Sequence, residues 1–307
     1  MNINLFGTFT LTGEYLRKQF KSQFPNAHIS IYSRKLTGNE YLDFLSPDQF
    51  NPNHSDQNSL WISFGPIWLF STFFESLINF HPEKLNNLTG LIICSSSSII
   101  TKRFSSNQFD KELVKSLRIA EEKIILLCKR VNIPYFIIRP TLIYGKSENF
   151  EDNNISKIEK IMRVSPFILL PSKTGLRQPI HSSQLSQICL TLVKRICSKL
   201  DIEYEKDRII TCGGDSILSY KEMIIAIKNS SKTNDPIRRC QIFSIPNGLF
   251  LFLCSPIQLF SPKTFESIQR ICSNLSGFTP SSEITNTPKI EFPVISYSKS
   301  SSDINIS

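Results

Sequence analysis

The strongest constraint in this sequence is the rhythm of its first 145 residues, where short apolar runs alternate with stretches of helical spacing. Ile3–Phe6, His28–Tyr32, Leu60–Phe64, Leu91–Cys94 and Tyr135–Ile138 read as strands. Gly13–Phe24 carries Tyr15, Leu16, Phe20 and Phe24 at helical spacing, and a second helix runs through Ile78. Leu113–Val131 places Leu117, Ala120, Ile124 and Leu127 on one helical face. Strands joined through helices pair in parallel, and each helix must bury its apolar stripe against a sheet face. The expected fold is therefore α/β, a doubly wound parallel sheet with helices on both faces. The second half is less regular. Ser182–Cys197 reads as a helix, Asp207–Cys212 as a strand ending at Gly213-Gly214, and Ser219–Lys228 as a helix opened by a Ser cap with Glu222 three residues on.

Between the first strand and the first helix lies Gly7-Thr8-Phe9-Thr10-Leu11-Thr12-Gly13. A dinucleotide's pyrophosphate docks at such a junction, because backbone N–H groups and the positive end of the helix dipole face the anion. Gly7 permits the tight turn and Gly13 the close packing of helix on strand. Thr10 stands where a third glycine usually does; its Cβ narrows the space, and its hydroxyl offers a hydrogen bond in exchange. Gly7, Thr10, Leu11 and Gly13 are thus the candidate phosphate-binding residues, against the alternative of a turn that binds nothing. The second strand ends at Ser33-Arg34-Lys35, without the acidic residue that holds the ribose hydroxyls of NAD. Arg34 and Lys35 could instead clasp the 2′-phosphate of NADP, or form a solvated basic loop. The expected cofactor is NADP or NAD, with NADP favoured.

Composition excludes several other classes. Hydrophobic residues make up 40% and charged residues 20%, an ordinary balance for a soluble globular chain. The net charge of +9 is scattered rather than blocked, which suits a phosphorylated small molecule better than nucleic acid. Eight Cys without CxxC spacing and four His make a metal site unexpected. Cys in apolar runs, such as Ile93-Cys94, and an opening without a basic leader segment point to the cytoplasm. Residues 57–74 and 240–262 carry no charge, but Gly65-Pro66 interrupts the first, and Pro246, Gly248 and Pro256 the second. Gly248–Phe260 is expected to be an amphipathic or buried hairpin of short helices, with loose membrane contact left open.

Several landmarks fall in one order. After the loop come Leu91-Ile92-Ile93-Cys94 with the serine run Ser95–Ser98, then Ala120-Glu121-Glu122, then Arg139-Pro140-Thr141-Leu142-Ile143-Tyr144-Gly145. Arg177-Gln178-Pro179-Ile180-His181, Cys212-Gly213-Gly214-Asp215 and Ser276-Gly277-Phe278-Thr279-Pro280 follow. This order resembles the extended short-chain dehydrogenase/reductases, the NAD-dependent epimerase/dehydratase group that acts on nucleotide sugars. The resemblance implies a Rossmann-type domain over 1–145 with returning elements at about 176–218. It also implies a smaller substrate domain from 146–175 and 219–280; the Ser- and Thr-rich composition of 281–307 reads as a polar tail, with its last ten residues expected to be disordered. By the same resemblance Ser97 hydrogen-bonds the reacting sugar oxygen, Pro140 and Thr141 line the nicotinamide side, and Arg177 and His181 lie near the substrate's phosphates.

One family element is missing. The group's Tyr-x-x-x-Lys pair moves a proton while hydride passes to or from the nicotinamide, and a Glu follows four residues after the Lys. Setting that Glu on Glu121 puts Leu113 and Leu117 at the Tyr and Lys places; Glu122 gives Val114 and Arg118. No Tyr occurs between Tyr41 and Tyr135. Acid–base catalysis of this kind contributes about 10²–10⁴-fold. Lys115 on the same helix could reach a cofactor ribose. Two expectations follow: an NADP(H)-binding protein of epimerase/reductase type with weak or altered redox activity, or a non-catalytic binding or scaffold protein on the same fold. Substrate, catalytic competence and oligomeric state are left open.

Overall fold

A computed structural model describes residues 1–34, 40–52, 58–198 and 208–294. Lys35 and the last ten residues, for which expectations were stated, lie outside them. The main sheet contains β1 (Asn2–Phe6), β2 (His28–Ser33), β3 (Glu40–Tyr41), β4 (Ser59–Ser63), β5 (Leu88–Cys94) and β6 (Tyr135–Pro140). Short strands β7 (Ile143–Tyr144), β8 (Phe167–Pro171), β9 (Leu176–Arg177) and β10 (Ile180–His181) follow. Then come β11 (Ile209–Gly213), β12 (Leu218–Ser219), β13 (Gln241–Ile245) and β14 (Thr279–Pro280). Helices are α1 (Leu11–Gln23), α2 (Ile67–Phe80), α3 (Ser98–Thr101), α4 (Gln108–Arg130), α5 (Ile155–Val164) and α6 (Ser182–Cys197). The C-terminal part adds α7 (Tyr220–Ser230), α8 (Asn247–Cys254), α9 (Pro256–Phe260), α10 (Pro262–Gln269) and α11 (Ser281–Thr285).

The main sheet runs β3-β2-β1-β4-β5-β6-β11-β14, and every neighbouring pair is parallel. The chain winds outward from β1 to β3, then returns past β1 to β4 and onward. This doubly wound order leaves a crevice at the carboxyl ends of β1 and β4, where the winding direction reverses. The parallel doubly wound sheet expected from the strand–helix rhythm is present.

Both faces of the sheet are covered, as a parallel sheet requires. One face carries Phe6, Trp61, Leu91, Ile93, Tyr135 and Ile137 under α2 and α4. Its centre is aromatic: Phe6 stacks on Tyr32 at 5.1 Å between centroids and meets Trp61, Phe50, Phe70 and Phe73 within 6.1 Å. Part of the chain's high Phe content is thus packed in one place. The other face sets Ile3, Leu5, Leu60, Ile62, Ile92 and Phe136 against Leu16 and Phe20 of α1 and Leu185, Ile188 and Leu192 of α6. A third buried cluster lies beyond the sheet. It joins Ile155 and Met162 of α5, Leu170 of β8, Met223, Ile224 and Ile227 of α7, and Tyr144.

Two of the helix starts show how their caps are made. Asn107 accepts from the Asp110 amide at 2.9 Å. The predicted Ser219 cap is completed by Glu222 into a reciprocal pair, at 3.1 and 2.7 Å. Residues 281–294 include α11, and Phe292 and Val294 pack on the third cluster. Gly248–Phe260 forms the short helices α8 and α9, joined through Ser255 alone in helical backbone (φ −58°, ψ −34°), so they run on from one another instead of folding back as the expected hairpin. Phe250 is the buried residue of α8 and α9 has none, so the pair is largely exposed instead of buried.

Candidate functional site

Gly7 follows β1 with φ +62°, a left-handed conformation that a side chain rarely adopts. A Cβ there would lie 2.5 Å from the backbone nitrogen of Gly65, just beyond β4. The ends of β1 and β4 therefore touch backbone to backbone at the crevice. Gly13 is equally confined: a Cβ would lie 1.8 Å from the Thr8 carbonyl oxygen. Both glycine roles anticipated from the spacing are thus required by contact.

Thr10 caps α1 by accepting from the Gly13 amide at 3.3 Å, which leaves its own O–H proton available to a ligand. The Leu11 and Thr12 amides in the first turn make no hydrogen bond among the described residues. Two buried hydroxyls close by, Thr8 Oγ1 and Ser63 Oγ, also have no partner. Buried polar groups are normally hydrogen-bonded, so these orphans at the carboxyl ends of β1 and β4 fit a polar ligand seated in the crevice. The adjoining segment 146–150 is anchored on the same loop and helix. Tyr15 Oη donates to the Lys146 carbonyl at 2.8 Å, Ser147 Oγ to Glu14 at 2.9 Å, and Phe150 packs edge-on against Phe9 at 5.3 Å. Glu14 is buried, a cost that its bonds from Ser147, Lys18 and Asn149 more than offset, so its carboxyl stays below the usual range.

A second concavity, of about 390 Å³, lies over the ends of β5 and β6. Ser97, Thr141, Lys102, Asn154 and Arg177 line it, and its size is that of a small-ligand pocket. The Ser97 amide donates to the Pro140 carbonyl at 3.1 Å, which ties the serine run to the end of β6. Thr141 donates its hydroxyl to the Gln178 carbonyl at 2.5 Å. Lys102 is held at 2.8 Å by buried Asp110, whose carboxyl is pulled well below its usual range by Lys102, Asn107 and Arg270 against the effect of burial. The concavity adjoins a groove of about 600 Å³ between residues 100–106 and 266–278.

The sequence-selected residues separate into groups. Gly7, Thr10, Leu11 and Gly13 form the crevice loop. Ser97, Thr141 and Arg177 line one concavity, with Pro140 behind it. Arg34 is exposed just past the end of β2. Lys115 is exposed on α4 and is not among the lining residues. Arg177 is buried, and its guanidinium donates to the carbonyls of Leu176 and Ser273, each at 2.7 Å, and to that of Arg270. Those bonds occupy NH1 and NH2, and the Tyr220 ring lies 5.3 Å away. His181 is buried at the start of α6, where Nδ1 accepts from the Ser183 amide at 3.2 Å. Its ring is wedged between Tyr15 and Tyr144, and burial lowers its pKa to about 4. In this arrangement His181 serves as a neutral cap. Sequence reasoning missed Lys102 and Asn154.

α4 contains no Tyr. Its Glu121 is buried and receives Arg139 Nε at 3.0 and 3.1 Å, a further Arg139 N–H, and Ser95 Oγ at 2.5 Å. Glu122 is exposed. Leu117, one turn before Glu121, is buried in the core beneath α2 and α4. Among the described residues no group of His, Cys, Asp and Glu is arranged to hold a metal ion, and no helix is long and apolar enough to cross a membrane.

No family model matches the sequence, and a search of curated proteins returns no match. Solved structures do match. A human epimerase family protein solved with NADPH superposes with a TM-score of 0.62 at 10% identity, over 95% of this chain and 96% of its own. A nucleoside-diphosphate-sugar epimerase from Staphylococcus aureus gives 0.58 at 12% identity, over 95% and 98%. UDP-N-acetylglucosamine 4-epimerase from Bacillus cereus gives 0.57 at 14% identity, over 94% of each chain. The chain thus has the Rossmann-like fold of the extended short-chain dehydrogenase/reductases, along nearly its whole length.

Proposed function

We propose that the protein binds NADP(H) at the β1–β4 crevice and a small ligand, of nucleotide-sugar type, in the concavity beside Ser97 and Thr141. The observation that carries this reading is the doubly wound strand order with Gly7, Thr10 and Gly13 at its reversal point. The Leu11 and Thr12 amides and the Thr10 hydroxyl would hold the pyrophosphate, with the helix dipole of α1 behind them. Arg34, exposed just past β2, would meet a 2′-phosphate. A bound nicotinamide dinucleotide supplies hydride transfer. This chain's own contribution is to hold the dinucleotide and to orient a ligand hydroxyl at Ser97.

The proton-transfer partner of that chemistry is the weak point. On the reading that Glu121, buried and paired with Arg139, matches the Glu of the related enzymes, Leu113 and Leu117 would stand at their Tyr and Lys places. Redox activity is therefore weak or altered. The second reading, a non-catalytic binding or scaffold protein, draws on the same observation. Lys115, exposed on α4, offers no substitute proton carrier.

The test is titration of the purified protein with NADPH and NADH, followed by thermal shift and nicotinamide fluorescence. A ligand that binds the native state alone, at 100 times its dissociation constant, adds about 2.7 kcal/mol of stability. NADPH is expected to bind more tightly than NADH, and Arg34→Ala to weaken NADPH selectively. Absence of any shift with either nucleotide at roughly millimolar concentration refutes the proposal.

A further inference from the structure

The uncharged run 240–262 has a surface role that the dinucleotide site does not explain. α8 and α9 project Phe252, Leu259 and Phe260 at 72, 84 and 89% exposure, with Leu253 beside them. α9 and α8 both pack on α10, which carries the patch toward a second pair of protruding rings. Phe104 and Phe109 are 85 and 68% exposed, and Glu266 of α10 receives the Ser106 and Asn107 amides between them at 2.8 and 2.6 Å.

Cations border these tips. Lys263 Nζ lies 5.4 Å from the Phe109 ring centroid, and the Arg103 guanidinium 4.7 Å from that of Phe104. Of the nearby acids, Glu266 is held by residues 105–107 and Arg270, and Asp110, buried, by Lys102 and Arg270; Glu112, exposed one turn from Phe109, accepts from Gln108 at 2.7 Å. No acidic residue interrupts 240–262, and the whole chain carries +9.

We propose that α8, α9 and the Phe104–Phe109 segment dock on the surface of an anionic lipid bilayer. The protruding Phe and Leu side chains enter the interface while Arg103 and Lys263 remain at headgroup level. Apolar tips bordered by cations suit this occupant, because binding combines burial of apolar area with attraction to anionic lipid. The contact is interfacial, since no described helix is long and apolar enough to span. It does not depend on the dinucleotide reading.

The experiment is vesicle flotation of the full chain with phosphatidylcholine alone and with roughly a third phosphatidylserine, together with light scattering of the free protein. Expected is binding at least tenfold tighter to the anionic vesicles and weakened by salt. Leu259→Ser/Phe260→Ser should lower binding at least tenfold, and Lys263→Ala about fivefold. Thermal melting checks that both variants stay folded, as substitution of exposed side chains allows. The proposal is overturned if the chain ignores anionic vesicles, or if Leu259→Ser/Phe260→Ser binds them undiminished. It is equally overturned if the patch proves to be a self-association surface, with light scattering showing an oligomer that the double variant dissolves and no lipid binding.

Discussion

Replacing Arg139 with Met tests whether the Glu121–Arg139 pair is structural. The Glu121 side chain is 3% exposed and that of Arg139 19%. Three N–H···O contacts from Arg139 and one O–H from Ser95 compensate the carboxylate. Arg139→Met leaves a buried carboxylate with Ser95 alone, a change that typically costs about 3–5 kcal/mol. At roughly 2 °C per kcal/mol for a chain of this size, Tm should fall by about 6–10 °C. Glu121→Leu/Arg139→Met removes both charges and should recover most of the loss, because an apolar pair of similar volume tolerates that environment. Calorimetry on the two single variants and the double variant closes the cycle. A loss below about 1 kcal/mol in Arg139→Met, or a double variant no better than the singles, refutes the structural role.

Three further outcomes are expected. Gly13→Ala should reduce stability by more than about 2 kcal/mol in chemical denaturation, because its Cβ would meet the Thr8 carbonyl at 1.8 Å; a neutral effect would mean that the loop is not packed as described. The His181 pKa, lowered by burial to about 4, makes the unfolded chain bind more protons between that value and the ordinary one near 6.5. Stability should therefore fall as pH drops through that window, by at most about 3 kcal/mol, and His181→Asn should flatten the slope. Under native conditions a thiol reagent should label exposed Cys197 well before buried Cys128, Cys189 and Cys212. Burial pushes the Cys128 thiol up to about 12, and mass spectrometry reads the order.

Much of the fold was legible because parallel strands buried on both faces leave continuous apolar runs, and the helices between them keep a 3.6-residue period. The loop was legible because Gly7 and Gly13 answer local steric demands that spacing alone exposes. Less could be read after residue 145. α5, β8 and β13 come from short segments whose burial depends on partners far away in sequence, as in the pairing of Phe167–Pro171 with Gln241–Ile245. Composition could not distinguish a buried from an exposed pair of short helices at α8 and α9, since both need apolar residues. Arg177 and His181 were selected by the family resemblance, and their partners, backbone carbonyls and a helix amide, have no sequence signal. The role of Glu121 emerged only when its Arg139 partner was in place.

Amide hydrogen exchange with and without NADPH tests the central claim most directly, because it reads the proposed site itself. With NADPH bound, the Leu11, Thr12 and Gly13 amides should slow by at least about tenfold, and protection should extend to segment 146–150, which is anchored on the same loop and helix. Unchanged exchange in residues 7–14 at a saturating NADPH concentration, or protection confined to another part of the chain, would contradict the account.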